Sequence, residues 1–232
     1  MSRILPILFN GDMVRAILDG RKMVTRRICK DANEFTVPDM SFYDADKRTY
    51  AVHNYADKEH ADKLSIAERT YPICPGDILY VRETWNTYCE GCLSKNLESV
   101  LGLTCAHACG ENGNGYYYKA TDKNHVRWHP SIHMPKEAAH IWLKVKDVRV
   151  ERLQEITEEQ AKREGIQYDE CPTGFTWKEE TDIHNCYTTP IGAMQALWNS
   201  TIKKSDLDRY GWEANPWVWV IEFERCEKPG SE

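Results

Sequence analysis

The chain opens on a short apolar run, Ile4 to Phe9, which reads as a buried strand. A helical pattern follows, with Met13, Val14, Ile17 and Leu18 on one face and Asp12 as the expected N-cap. Gly20 stands where that helix needs a left-handed residue to end on, and Met23 to Ile28 then alternate with a strand's period of two. The alternation sends Thr25 and Arg27 to one face and Val24 and Arg26 to the other, with Lys22 at the joint. Residues 30–70 lose this patterning: charges are scattered, aliphatics few, and an excursion from the core is expected.

Patterning returns at residue 72, where Pro75-Gly76-Asp77 predicts a turn feeding a strand. Leu79, Val81, Glu83 and Trp85 share one face of it, and Ile78, Tyr80, Arg82 and Thr84 the other. Glu83 thus extends an apolar row. An isolated buried charge is costly, so this carboxylate is expected either to line a cavity or to pair internally with an arginine. Tyr116 to Ala120 reads as a strand. His125 to Lys136 reads as a loop, because Pro130 and Pro135 exclude a regular helix; His129 and His133 there are candidate base contacts or metal ligands, or loop residues with no such role.

Ile141, Leu143 and Val145 alternate, and so do Val148 and Val150, but the phase slips between the two sets, which predicts a β-bulge. Ile156 to Gly165 is a capped helix with a Thr157/Gln160 capping box and Gly165 as its stop. Glu164 falls in its last turn, where the helix dipole disfavours a carboxylate by about 0.3–1 kcal/mol, so helix preference does not explain it. Residues 167–189 are acidic and turn-rich around Trp177, a second excursion. Pro190 starts a helix carrying Ile191, Met194, Leu197 and Trp198, and Trp217 to Glu224 reads as an interior strand. The expectation is one domain over 1–232 in which the strands at Met23, Ile78, Ile141 and Trp217 surround one core, with excursions at 30–70, 86–115 and 167–189.

The length of 232 residues is enough for such a core. Charge sharpens the picture. The chain carries −6 in total, yet within residues 15–30 Arg15, Arg21, Lys22, Arg26, Arg27 and Lys30 stand against Asp19 alone. That asymmetry argues for one local anion site and against indiscriminate binding of polyanions, although a solvated basic edge strand has the same composition. The opening run is too short and Pro-interrupted for a signal peptide and nothing later approaches a membrane span, so no membrane partner and a cytoplasmic location are expected.

Nine cysteines, an odd number, do not suggest a disulfide framework. Cys89-x2-Cys92-x12-Cys105-x3-Cys109 forms two close pairs that can present four thiolates tetrahedrally, as a structural Zn2+ site requires. His107 could replace one cysteine, and unliganded thiols are the other reading. A closed four-ligand site would serve folding and not catalysis.

Gly20-Arg-Lys-x-x-Thr-Arg-Arg27, Pro75-Gly-Asp-Ile-Leu79, the Thr157 to Gly165 helix and the Trp217 to Phe223 strand together resemble the ASCH family. Pro6-Ile-Leu-Phe9, Arg82-Glu-Thr-Trp85, Pro130-Ser-Ile-His-Met-Pro135 and Asn215-Pro-Trp-Val-Trp-Val-Ile-Glu222 are similar to the longer ASCH proteins of phages and prophages. The resemblance implies an α+β fold: a PUA-like mixed β-barrel with flanking helices, here with an insertion expected to bind zinc. Within the family, small bacterial 4-acetylcytidine amidohydrolases use a lysine, a threonine three residues on and a glutamate near the end of the following helix. Lys22, Thr25 and Glu164 match those positions and Arg27 matches a family arginine, whereas Met23 stands where a second small hydroxyl is usual.

Two functions are implied. In the first, the cleft binds a nucleobase, free or in a nucleic acid, with RNA expected: Lys22, Arg26, Arg27 and Arg82 would meet phosphates or base edges, Trp85, Tyr80 or Trp217 would stack, and Glu83 and His133 would line the site. In the second, the protein is an amidohydrolase in which Thr25 attacks the acyl carbonyl, Lys22 accepts its proton and Glu164 orients the lysine or shuttles the proton. A phage structural or accessory protein, with the barrel as scaffold, is a third.

Overall fold

A computed structural model describes residues 2–30, 37–44, 49–54, 65–70, 72–88, 115–122, 128–169, 174–178 and 186–230. Its first strands are β1 (Ile4–Leu8), β2 (Val24–Ile28), β3 (Val37–Asp44), β4 (Thr49–Asn54), β5 (Ser65–Thr70) and β6 (Ile78–Arg82). Then come β7 (Trp85–Tyr88), β8 (Gly115–Tyr118), β9 (Trp142–Arg152), β10 (Gln167–Asp169), β11 (Gly174–Thr176) and β12 (Trp217–Cys226). The helices are α1 (Gly11–Leu18), α2 (Glu158–Arg163), α3 (Pro190–Thr201) and α4 (Leu207–Tyr210). The fold is α+β, built on a five-stranded mixed sheet in the order β1-β6-β9-β12-β2, with β1 and β6 parallel and the remaining pairs antiparallel.

β12 explains its own near-continuous apolar run, because both of its faces are covered. Trp219, Ile221 and Phe223 join α1's Val14 and Ile17, with Phe9, Leu79, Val81 and Leu143, in one buried layer. Val218 and Val220 join Leu153, Ala161, Met194, Leu197 and Trp198 in another, beneath α2 and α3. The one core expected from the sequence is therefore two apolar layers with the sheet between them. The expected PUA-like mixed β-barrel is seen only as this mixed sheet: among the described residues no ladder joins the sheet's edges, β1 and β2, into a closed barrel. They are linked by α1 and by Arg27, whose guanidinium donates to the Leu8 carbonyl at 2.7 Å.

Local chemistry sets the elements that carry the site. The N-cap of α1 is Asn10, whose Oδ1 accepts the Met13 N–H at 2.9 Å, and not Asp12. Asp12 lies in the first turn, a favoured place for a carboxylate, and pairs with Arg15. In α2 the Thr157/Gln160 capping box is formed in both directions, at 3.3 and 3.1 Å. Gly165 ends it with φ 104°, and a Cβ there would lie 3.0 Å from the Ala16 Cβ and 3.5 Å from the Lys22 Cβ. The bulge in β9 is present: Val145 pairs with Phe223 and Asp147 with Glu222, leaving Lys146 as the extra residue.

The described residues of the first excursion are strands and not the unpatterned chain their composition suggests. β3, β4 and β5 form a separate antiparallel sheet, and residues such as Thr49, Tyr50 and Val52 supply β propensity where aliphatics are few. β7 and β8 pair with each other, so the insertion leaves and returns through adjacent strands. Cys89, Cys92, Cys105, Cys109 and His107, with the zinc expectation they carry, lie outside the described residues. In the last excursion β10 and β11 form a hairpin, and Phe175, Trp177 and Tyr187 pack against the second layer. Among the described residues no helix is long and apolar enough to cross a membrane.

Candidate functional site

Lys22 threads between two helix ends. Its backbone N–H donates to Ala16 O at 2.9 Å, the next N–H, of Met23, donates to Arg163 O at 2.9 Å, and Lys22 forms an isolated antiparallel bridge with Glu164. The side chain is buried and its Nζ meets three acceptors: Glu164 Oε2 at 2.6 Å, the Glu164 carbonyl at 2.9 Å and the Val24 carbonyl at 2.8 Å. An ammonium has three protons, so this set uses all of them. The other carboxylate oxygen of Glu164 accepts from Arg26 Nη1 at 3.1 Å. The carboxylate at the disfavoured end of α2 thus has a physical account: two buried cations hold it.

The arrangement continues outward. Arg26 Nη2 also donates to Gln160 Oε1 at 3.0 Å and lies 3.4 Å from Glu151 Oε2, and Glu151 in turn pairs with Arg149. Arg149 bonds Glu222, whose second oxygen is 2.8 Å from Arg163. On the opposite face of β2, Arg27 and Lys22 flank the Phe9 ring, at 5.3 and 5.7 Å from its centroid. Burial pushes the Lys22 ammonium below the ordinary lysine value against the pull of Glu164, and Arg27 and Arg26 push the same way. Burial also lowers Arg27, again opposed by Glu164.

Thr25 is buried on the same face as Arg27, since its cross-strand partner is Ile221 of the first layer. Among the described residues no hydrogen bond joins its hydroxyl to Lys22 or Glu164. The structure therefore brings together Lys22, Glu164, Arg26 and Arg27, with Thr25 beside them in the strand but unbonded to them. A groove of about 540 Å³ runs along α2 over Arg21, Met23, Lys162, Arg163, Tyr168 and Phe175; Lys22, Thr25 and Glu164 do not line it.

The remaining sequence candidates divide. Arg82 sits opposite Leu8 in the β1–β6 ladder and donates to the Ile132 carbonyl. Glu83 is buried, and its partner is not an arginine but His140, at 2.7 Å, from the segment that leads into β9. A bend at Thr84 breaks the alternation, so Asn86 and not Trp85 takes the next buried position, and Trp85 packs against Tyr116 and His129. His133 is exposed at the end of a short 3-10 turn. Trp217 lies under Arg152 at 4.3 Å and starts β12 at the end opposite the Glu222–Val24 pair, so it does not join Lys22.

Residues that sequence reasoning missed are Phe9, Glu151, Gln160 and His140. Only Gln160 carried a usable signal, its place in the capping box. Compared with known proteins, the chain matches no protein-family model, no curated protein and no solved structure.

Proposed function

We propose that this protein recognises a nucleobase, free or in RNA, beside the ends of β1, β2 and β6, in the manner of an ASCH protein, and that Lys22, Thr25 and Glu164 hydrolyse an acylated amine on that base. The observation that carries the reading is the buried Lys22–Glu164 pair at 2.6 Å, with Lys22 held below its ordinary pKa beside Arg26 and Arg27. A lysine so placed can act as a base at a pH where an exposed one cannot. Arg27 donating to Leu8 O across the open edge of the sheet supports a PUA-like barrel.

In this reaction Lys22 first passes one of its three protons to Glu164 and then takes the Thr25 proton as Oγ1 attacks the acyl carbonyl. The C–N bond then breaks, and the proton passes through Lys22 and Glu164 to the departing amine. Water hydrolyses the acyl-threonine ester and restores the hydroxyl. Arg27, on the face of Thr25, offers positive charge to the oxyanion.

A second reading, recognition without chemistry, has its own observation: Nζ of Lys22 is fully engaged and the Thr25 hydroxyl has no bond to it. One experiment separates the two. The protein is incubated with a panel of N-acylated nucleosides, acyl release is followed by mass spectrometry, and nucleoside binding is measured by calorimetry. Release that disappears in K22A and survives in part in T25S supports hydrolysis. Binding without release from any substrate leaves recognition alone, and neither binding nor release retires both.

A further inference from the structure

The corner between β6 and β7 holds a buried carboxylate that the Lys22 cluster does not use. Glu83 is 1 % exposed at its side chain, and its Oε1 accepts from His140 Nε2 at 2.7 Å. Among the described residues its Oε2 is buried with no hydrogen-bond partner. The His140 ring lies flat on Tyr118, with centroids 3.7 Å apart and planes 3° from parallel, and the Tyr118 hydroxyl is tied to the Ala138 carbonyl at 2.8 Å. Glu83 is therefore fixed on one side and unsatisfied on the other. Two neighbours in the chain share the condition: the Trp85 indole N–H and the Arg82 Nε–H are also buried without a partner among the described residues. Native interiors satisfy nearly all such groups, so Glu83 Oε2 in particular calls for a donor from outside the chain, and the open Trp85 and Arg82 N–H groups lie on residues close to it in sequence.

The chemistry of the open atoms narrows what fits. A carboxylate oxygen needs an N–H or O–H donor, and the indole and guanidinium N–H groups need an acceptor. Trp85, packed on His129 at 5.3 Å and Tyr116 at 5.9 Å, supplies an aromatic wall. A planar nitrogen heterocycle with an amino group beside a ring nitrogen offers a donor and an acceptor on one edge. Its keto counterpart places a carbonyl oxygen where the amino group stands, against the carboxylate. The corner adjoins the cluster described above, because Phe9, flanked by Lys22 and Arg27, donates its backbone N–H to Arg82 O at 3.2 Å.

We propose that Glu83 is the specificity-determining residue of a subsite for an amino-bearing heterocycle, its free oxygen accepting the amino N–H, and that His140 is the positioning residue that fixes which oxygen remains free. The ligand class rests on the nucleobase reading above. The orphaned atoms do not depend on it.

The test uses the full chain and calorimetric titration with cytidine, adenosine, uridine, inosine and N4,N4-dimethylcytidine. Cytidine and adenosine should bind roughly tenfold or more tighter than the other three, since a buried acceptor left without its donor weakens binding by about that factor. In E83Q, where the amide nitrogen would face the ligand, the order should invert towards uridine and inosine. H140A should shrink the ratio and H140Q, which keeps a donor to Oε1, should restore it. Equal binding of cytidine and uridine, or an unchanged order in E83Q, overturns the inference and leaves the nucleobase reading in place. Silence towards all five removes that reading and this inference with it. The wild-type ratio needs no substitution, so a variant that fails to fold does not spoil the test.

Discussion

Lys22 and Glu164, 142 positions apart, are joined twice: the lysine Nζ bonds both the carboxylate and the backbone carbonyl of the same glutamate. The two hydrogen bonds fasten the start of β2 to the end of α2 inside the protein. Breaking one side of a buried pair leaves an uncompensated charge and costs about 3–5 kcal/mol, whereas replacing both sides with apolar groups can be close to neutral. K22M and E164Q should each lose stability on that scale in chemical denaturation, and K22M/E164L should recover part of the loss, since Arg26 loses its Glu164 oxygen but keeps Gln160 and Glu151. Additive losses in the double variant would mean the two residues are not energetically coupled.

The lowered pKa of Lys22 gives stability a definite pH dependence. A base held lower in the folded than in the unfolded protein weakens the fold while both states are charged. That penalty is relieved as pH climbs from the lowered value to the ordinary 10.5, because in that window the unfolded chain binds more protons. The difference in denaturation midpoint between the wild type and K22M should therefore shift in favour of the wild type with rising alkaline pH. A difference that stays flat would place the Lys22 pKa at its ordinary value.

Two left-handed glycines flank the site and should respond unequally to alanine. Gly20, φ 76°, has nothing within 4 Å of the place a Cβ would take, so G20A should cost only the backbone penalty of about 1–2 kcal/mol. Gly165, φ 104°, adds contacts with Ala16 and Lys22, so G165A should cost more and should also disturb Lys22. Thermal denaturation of the two variants and the acyl-release assay check both halves.

The paired thiols Cys89, Cys92, Cys105 and Cys109 are expected to hold one structural Zn2+ on the strength of their spacing. Elemental analysis of protein purified without chelator should give about one zinc per chain, and replacing two of the four cysteines by serine should remove it. A metal content near zero would return these residues to ordinary thiols.

What is legible in the sequence is local. The capping box at Thr157, the left-handed Gly20 and the slip after Val145 all follow from spacing within a few residues, and each is in place. The cap of α1 falls at Asn10 and not at Asp12 because the two are equally good cap residues and only the backbone decides between them. Glu83's partner is not readable because His140 reaches it across 57 positions through a loop. The carbonyl acceptors of Lys22 are hidden for a different reason: backbone groups leave no mark on composition. Resemblance matches Lys22 with Glu164, but the two hydrogen bonds between them and the absence of any bond to Thr25 are facts of packing.

Lys146 changes the parity of β9. Before it, odd-numbered Leu143 and Val145 face the layer beneath α1; after it, even-numbered Val148 and Val150 do, which leaves Asp147, Arg149 and Glu151 on the side of Arg26 and Glu222. β9 is in effect two half-strands one step out of register with each other. Deleting that single exposed lysine would turn one half over, sending valines to the ionic side and Glu151 away from Arg26. The electrostatic surroundings of Lys22 are thus set in part by a count of residues in a strand that reaches it only through Arg26 and Glu164 in the hydrogen bonds described above.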